Sequence, residues 1–264
     1  MIRNKIKTVL IFVAITFLYS CTLNNEPGKA ENESSVLFNL VANKSDQKLY
    51  LYRTAKLGEE ASRYIDSLDL KLTSYSDFFI KNAEVKLEGN DLYYNDFVVV
   101  EDDDFSYFEK GFQYINNDLL EILPSTKYNL LINYDGINIK GETTTPGDFK
   151  ILSPENYARI TESDDENNVS FNIRWNKSKN AKGYFINIVD KSSMHNNRYS
   201  FITADTTYNF KQSMHSGAYI LEILAYDENI DNYLIKGYNK SGLKNAYGYF
   251  GSSVLKSINF TVGH

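Results

Sequence analysis

The 264-residue chain carries 28 Lys and Arg against 34 Asp and Glu, a formal charge of -6 and a pI near 5.2. It lacks the basic excess with which a protein neutralises phosphates, which argues against a nucleic-acid partner. A single cysteine excludes an internal disulfide and leaves stability to core burial. With 21 Tyr and 16 Phe beside only 4 Pro, the composition favours pleated, half-buried surfaces, and an all-β body is expected.

At the N-terminus Arg3, Lys5 and Lys7 precede an apolar run over residues 9–18 broken only by Thr16. This is the layout of a secretory signal peptide, and the run is shorter than the roughly 20 residues a transmembrane helix needs. Leu18-Tyr19-Ser20-Cys21 follows and resembles the bacterial lipobox, in which the cysteine is acylated; Tyr19 departs from the usual small or β-branched residue. The resemblance implies removal of residues 1–20 and lipid attachment, palmitate included, at Cys21. Two or three acyl chains, each contributing about 0.8 kcal/mol per buried CH₂, would hold the protein to a membrane for its lifetime. Thr22 after the cysteine is similar to lipoproteins released to the outer membrane. Residues 21–35 are polar, contain Pro27 and Gly28, and read as a lipidated tether.

The first body is expected over residues 36–150, as an immunoglobulin-like β-sandwich. Runs at 36–41 and 48–53, separated by Asn43-Lys44-Ser45-Asp46, predict a hairpin. Leu57, Ala61, Tyr64, Ile65 and Leu68 fall at helical spacing, for a short helix or a surface loop. Alternation of Ala83, Val85 and Leu87 with charges predicts a strand with one wet face, turned by Gly89-Asn90-Asp91. Strands at 97–100, 128–134 and 137–143 follow, the last two joined by Asp135-Gly136, a two-residue hairpin signal. The acidic runs 101–104 and 162–166 can be read as calcium loops or as solvated loops. The spaced Asp-x-Asp-x-Asp-Gly pattern is missing, which favours the second.

Thr143-Thr144-Thr145-Pro146-Gly147 and Ser153-Pro154 bracket a boundary near 147–153, and a second body is expected over residues 151–264. Phe171, Ile173 and Trp175, then Tyr184, Ile186 and Ile188, alternate with other residues and predict two adjacent core strands. Ile173-x-Trp175 and Ala181-x-Gly183-Tyr184-x-Ile186-x-Ile188 resemble strands B and C of a fibronectin type III domain. Residues 206–210 resemble strand E, and residues 216–226 resemble strand F, with Tyr219 where such sandwiches carry a tyrosine corner. Residues 257–262 would be the last strand. An insertion at 227–253 holds Tyr238, Tyr247, Tyr249 and Phe250 among glycines. It is either a stacking platform for a sugar or partner, or a loop folded back over an open sheet edge.

Taken whole, the chain resembles Bacteroidetes outer-membrane lipoproteins of unknown function found near TonB-dependent receptors. The resemblance rests on the lipobox, the Ala83-x-Val85-x-Leu87 strand, the exit from Thr143 to Pro146, the Trp175-bearing second sandwich and Ala246-Tyr247-Gly248-Tyr249-Phe250-Gly251. It implies an outer-membrane, lipid-anchored location on the periplasmic or outer face, and no catalytic residues to carry over.

The chemistry-bearing residues are sparse. Neither His195 nor His215 sits in an H-E-x-x-H or other metal-ligand spacing, no G-x-S-x-G elbow occurs, and Cys21 is committed to lipid. No cofactor and no metal are expected. The leading expectation is a non-catalytic binding or scaffold module, accessory to an outer-membrane receptor or another surface protein. A glycan-binding lipoprotein using Tyr238, Tyr247, Tyr249 and Phe250 is the alternative. A glycoside hydrolase, which needs two carboxylates across a groove, is the last of the three.

Overall fold

Alternation decides the first strand. In the computed structural model β1 (Ser34–Ala42) buries Val36, Phe38, Leu40 and Ala42 and leaves Leu37, Asn39 and Val41 partly exposed. The structure describes residues 34–44, 47–53, 78–102, 105–116, 120–161, 168–191 and 198–263, with the backbone alone over 96–112. Residues 1–33, with the signal segment, Cys21 and most of the tether, lie outside these. So do the expected helix at 57–68, residues 103–104 and 162–166 of the acidic runs, His195 and His264.

β2 (Lys48–Arg53) pairs antiparallel with β1, forming the expected hairpin. Its turn is organised by Gln47, whose side chain accepts from Val41 N at 2.9 Å and donates to the carbonyls of Val41 and Lys44 at 3.0 and 2.8 Å. β3 (Glu84–Leu87) turns through Glu88 and Gly89, both at positive φ, into β4 (Asn90–Asp102), so the turn sits one residue earlier than expected. β5 (Phe105–Ile115) returns along β4. β6 (Lys127–Tyr134) and β7 (Ile137–Thr144) are joined across Asp135 and Gly136, again both at positive φ, the geometry that matches the twist of a two-residue hairpin.

These strands make two layers. β1, β2 and β5 lie in one, β3, β6 and β7 in the other, and β4 serves both by pairing with β3 near its start and with β5 beyond. Val36, Phe38, Leu49 and Leu51 from the first layer are buried in the same core as Val85, Leu87, Leu130, Ile132 and Ile139 from the second.

The second half contributes β8 (Ile151–Ser153), β9 (Ala158–Thr161), β10 (Asn168–Trp175), β11 (Gly183–Asp190), β12 (Arg198–Thr203), β13 (Thr207–Ser213) and β14 (Gly217–Tyr226). A helical segment follows, α1 (Glu228–Ile230) running into a π turn at Asp231–Ile235, then β15 (Lys240–Ser241), β16 (Leu243–Lys244) and β17 (Tyr247–Gly263). One layer has the order β13-β10-β8 and the other β12-β11-β14-β17. With β8, β10, β11, β13, β14 and β17 as strands A, B, C, E, F and G, this is the arrangement of a fibronectin type III or immunoglobulin-like sandwich.

The expectation that β10 and β11 are neighbours is corrected by this order. They sit in opposite layers and meet through side chains, the Trp175 and Tyr184 rings lying 5.1 Å apart edge to face. Alternation sees only that each strand has one buried face, and two strands facing one core from opposite sides share that signature. Tyr219 does form a tyrosine corner: its hydroxyl donates to His215 O at 2.8 Å and its ring stacks on Phe260 at 5.5 Å.

The long last strand belongs to both halves. Residues 253–262 of β17 pair antiparallel with β14, while residues 247–254 pair parallel with β1. The latter part of the 227–253 insertion is therefore strand rather than loop, and it covers the edge that β1 would otherwise leave unpaired. The described residues all fall within one compact unit.

Candidate functional site

Residues 247–251 alternate across the sheet, and alternation divides the sequence-predicted site. Phe250 points inward, fully buried, and stacks on Phe38 with ring centroids 5.4 Å apart. It is a core residue and offers no ring to a ligand. Tyr247 and Tyr249 point outward and are half-buried. Gly248 allows the approach: it has a φ of 89°, and a Cβ there would lie 2.0 Å from the carbonyl oxygen of Val36.

Register places further aromatics beside the two tyrosines. Leu37 of β1 stands opposite both Tyr249 on β17 and Tyr50 on β2, while Ser35 stands opposite both Tyr247 and Tyr52. Two rows of tyrosines thus flank β1 on the outer face of the sheet. Tyr233, from the π turn, brings its ring to 4.9 Å from Tyr249. At the other end Tyr52 meets Phe79 at 4.6 Å, and the Arg53 guanidinium lies 4.8 Å from the centre of the Phe78 ring. Tyr50, Tyr52 and Tyr233 were not among the sequence candidates. The signal for the first two was present, since they alternate with Leu49 and Leu51, but nothing local shows that β17 comes alongside.

Between these rows runs a groove of about 350 Å³ lined by Leu37, Asn39, Val41, Lys44, Lys48, Tyr50 and Tyr249. Asn39 Oδ1 accepts from Ser253 Oγ at 3.0 Å, which orients the amide so that its NH₂ remains a donor. Burial pushes the phenols of Tyr50, Tyr52 and Tyr249 above their ordinary value, so all three stay neutral hydrogen-bonding groups. Tyr238 is exposed and lies outside the residues lining this groove. The structure therefore brings Tyr247 and Tyr249 to one face, sends Phe250 to the core, and leaves Tyr238 apart.

A second cavity, of about 480 Å³, is lined by Glu142, Thr143, Thr144, Asn180, Lys182, Asp227, Glu228 and Asn229. Its carboxylates have structural occupations. Asp227 caps α1 by accepting from Ile230 N at 3.0 Å, and its other oxygen accepts from the hydroxyls of Thr143 and of Ser252, the latter at 3.1 Å. Burial raises the Asp227 pKa above the ordinary carboxylate value, against the opposing effect of these hydrogen bonds. Glu142 pairs with Lys127 at 2.7 Å and Glu228 with Lys182 at 3.6 Å. Asn229 donates to the carbonyls of Glu142 and Phe250, both at 2.9 Å, so this corner fastens the helical segment to β7 and β17. Among the described residues no three His, Cys, Asp or Glu side chains group to hold a metal, and no helix is long and apolar enough to cross a membrane.

No family model and no curated protein matches the chain. Among solved structures it is similar to the FN1-FN3 domains of chicken CNTN1, at 11% identity over 88% of this chain and 67% of that one, with a TM-score of 0.26. It is also similar to an I-band fragment from titin, at 8% identity over 86% and 65% with a TM-score of 0.23. A 3Ig titin structure of an E-to-A mutated variant matches at 7% identity over 87% and 66%, with a TM-score of 0.24. The chain thus spans about two thirds of the length of these structures. The strand order itself, rather than these overlaps, assigns the fold: the chain is an all-β protein of the fibronectin type III and immunoglobulin-like sandwich class.

Proposed function

We propose that the protein is a non-catalytic, lipid-anchored binding module of the cell envelope, accessory to an outer-membrane receptor complex. It presents the tyrosine face of β1, β2 and β17 to its partner. The observation that carries the reading is the convergence of Tyr50, Tyr52, Tyr247, Tyr249 and Tyr233, from three separate elements, on a face the core does not use. Aromatics supply contact area at low conformational cost and are enriched where proteins bind. The anchor part of the reading rests on the lipobox-like Leu18-Tyr19-Ser20-Cys21. In this reading residues 36–150 and 151–264 are two sandwiches tied by one shared strand, standing off the membrane on residues 21–35.

The test uses the full chain produced in a bacterial host with outer-membrane receptors. Detergent extraction should carry the wild-type protein into the lipid-rich phase and leave Cys21→Ala in the aqueous phase. Affinity capture through the wild type should recover a receptor that is lost with Tyr249→Ala or Tyr50→Ala. Equal partitioning of wild type and Cys21→Ala would remove the anchor from the reading. Receptor recovery indifferent to both tyrosine variants would remove the face from it.

A further inference from the structure

We propose that the outer face of the β12-β11-β14-β17 sheet binds the same face of a second copy of this chain, making a two-fold dimer through the second sandwich. The proposal is independent of the tyrosine face and of its partner. Register fixes which residues meet solvent there, because Tyr184, Ile186, Ile188, Leu221 and Ile223 take the core side of their strands. The side chains between them form rows across the four strands. Ile202, Phe185, Leu224 and Leu255 make an apolar row. The next row is Ser200, Asn187, Glu222 and Ser257, and the one after it Arg198, Val189, Ile220 and Asn259. None of these is buried, and Ile202 is 55% exposed. Phe185 is held by its ring contact with Tyr226 at 4.7 Å, so the apolar row is set before anything binds.

The rows identify the occupant, because each reads nearly the same from either end. The first is apolar throughout, the second has serine at both ends around two polar groups, and the third holds Val189 and Ile220 between Arg198 and Asn259. A face that reads alike in both directions is self-complementary about a two-fold axis, the property an isologous interface needs. An axis running along the strands between β11 and β14 sets Phe185 against Leu224 of the second copy, Ile202 against its Leu255 and Val189 against its Ile220. Charge agrees with this placement. Within one copy Arg198 and Glu222 sit two strands apart, and neither forms an ion pair among the described residues. The same axis puts Glu222 of the second copy over Asn187, one strand from Arg198 and within reach of its long side chain. Lys191, at the margin, is engaged with Asn259 Oδ1 at 3.3 Å. Four strands at about 4.8 Å by the eight residues of β11 at about 3.4 Å each give about 500 Å² per copy. The pair covers about 1,000 Å², the lower bound for a specific interface, so the dimer is weak in solution and gains when two copies share one surface.

The full chain is produced in one bacterial cell as two tagged forms of different size, one carrying Ser200→Cys and the other Ser257→Cys, and isolated cell envelopes are treated with a mild oxidant. Ser200 of one copy faces Ser257 of the other about this axis. The mixed pair should therefore form a disulfide-linked dimer at least about fivefold above wild type, whose only cysteine is Cys21. Two Ser200→Cys copies hold their introduced thiols three strands apart, about 14 Å, beyond the separation of about 7 Å that a disulfide spans, and should stay at the wild-type level. Ile202→Lys and Arg198→Glu change exposed residues of the edge strand β12. Each, placed in both tagged forms, should leave the thermal midpoint within about 3 °C while reducing cross-linking at least about fivefold. Cross-linking of the mixed pair at the wild-type level, equal cross-linking in cells holding only Ser200→Cys, or cross-linking unchanged by Ile202→Lys or by Arg198→Glu would each overturn the proposal.

Discussion

Residues 247–252 and 253–262 belong to one strand, yet different physics holds each part. The later part pairs with β14 and buries Phe260 against Tyr219 and Phe171, aromatic packing of the kind found throughout the second sandwich. The earlier part pairs parallel with β1, and there close backbone approach matters as much as side-chain burial. A Cβ at Gly248 would meet Val36 O, and one at Gly251 would lie 2.5 Å from Ile230. A buried polar cluster of Thr143, Asp227 and Ser252 then lies at the point where the pairing of the strand changes from β1 to β14. Side chains can thus seal a core from within, but joining a foreign strand to an exposed edge depends on glycines that let two backbones meet.

The largest effect should come from Gly248→Val. It adds a clash with backbone at a positive φ where a β-branched residue is strained, and should cost about 4 kcal/mol or more in denaturant unfolding. A cost under about 1 kcal/mol would show that the β1 to β17 pairing is dispensable.

Phe250→Ala and Phe260→Ala compare the two parts directly. Each truncates a fully buried ring and should cost about 3–5 kcal/mol. Hydrogen exchange should separate them: Phe250→Ala loosens β1 and β2, and Phe260→Ala loosens β10 and β14. Identical exchange patterns would mean that the two ends act as one cooperative unit.

Asp227→Asn tests the crossing point, with an expected cost of about 1 kcal/mol near neutral pH. The sign of its pH dependence is fixed by burial. Because the folded-state pKa is raised above 3.8, wild-type Asp227 favours the folded state most at low pH. That contribution is lost as pH rises from 3.8 through the raised folded value. The stability difference, wild type minus Asp227→Asn, should therefore fall with rising pH across this window. A difference that grows with pH would show the carboxylate to be stabilised by its partners more than it is destabilised by burial.

Tyr219→Phe should have the smallest effect, about 0.5 kcal/mol, because it removes one hydrogen bond to His215 O and keeps the ring against Phe260. Thermal unfolding measures it.

The strands of the second sandwich could be read directly, since Ile173, Trp175, Tyr184, Ile186 and Ile188 carry period-two burial and Tyr219 sits where a corner belongs. The Asp135-Gly136 turn could be read for a similar reason: a two-residue hairpin asks for positive φ at adjacent positions, and few residue pairs supply it. The candidate site was legible only in part. Tyr247 and Tyr249 stood out through their glycine neighbours, but the same reasoning included Phe250, because a dense aromatic cluster does not show which ring turns inward. Tyr50 and Tyr52 passed as ordinary strand residues, nearly two hundred positions from Tyr249.

Composition and alternation by themselves determined that this chain builds β-sheets, that one hairpin turns at Asp135-Gly136, and that no internal disulfide supports it. Those are local properties, set by side-chain size and the backbone angles each residue tolerates. Only the tertiary structure decided that β10 and β11 face each other across a core, and that the chain's last strand completes its first sheet. It also decided that the tyrosines of β2 and β17 share one surface. Such pairings join residues far apart in sequence. They are chosen by which edges and apolar faces remain open once the local elements have formed, and that is a property of the whole chain.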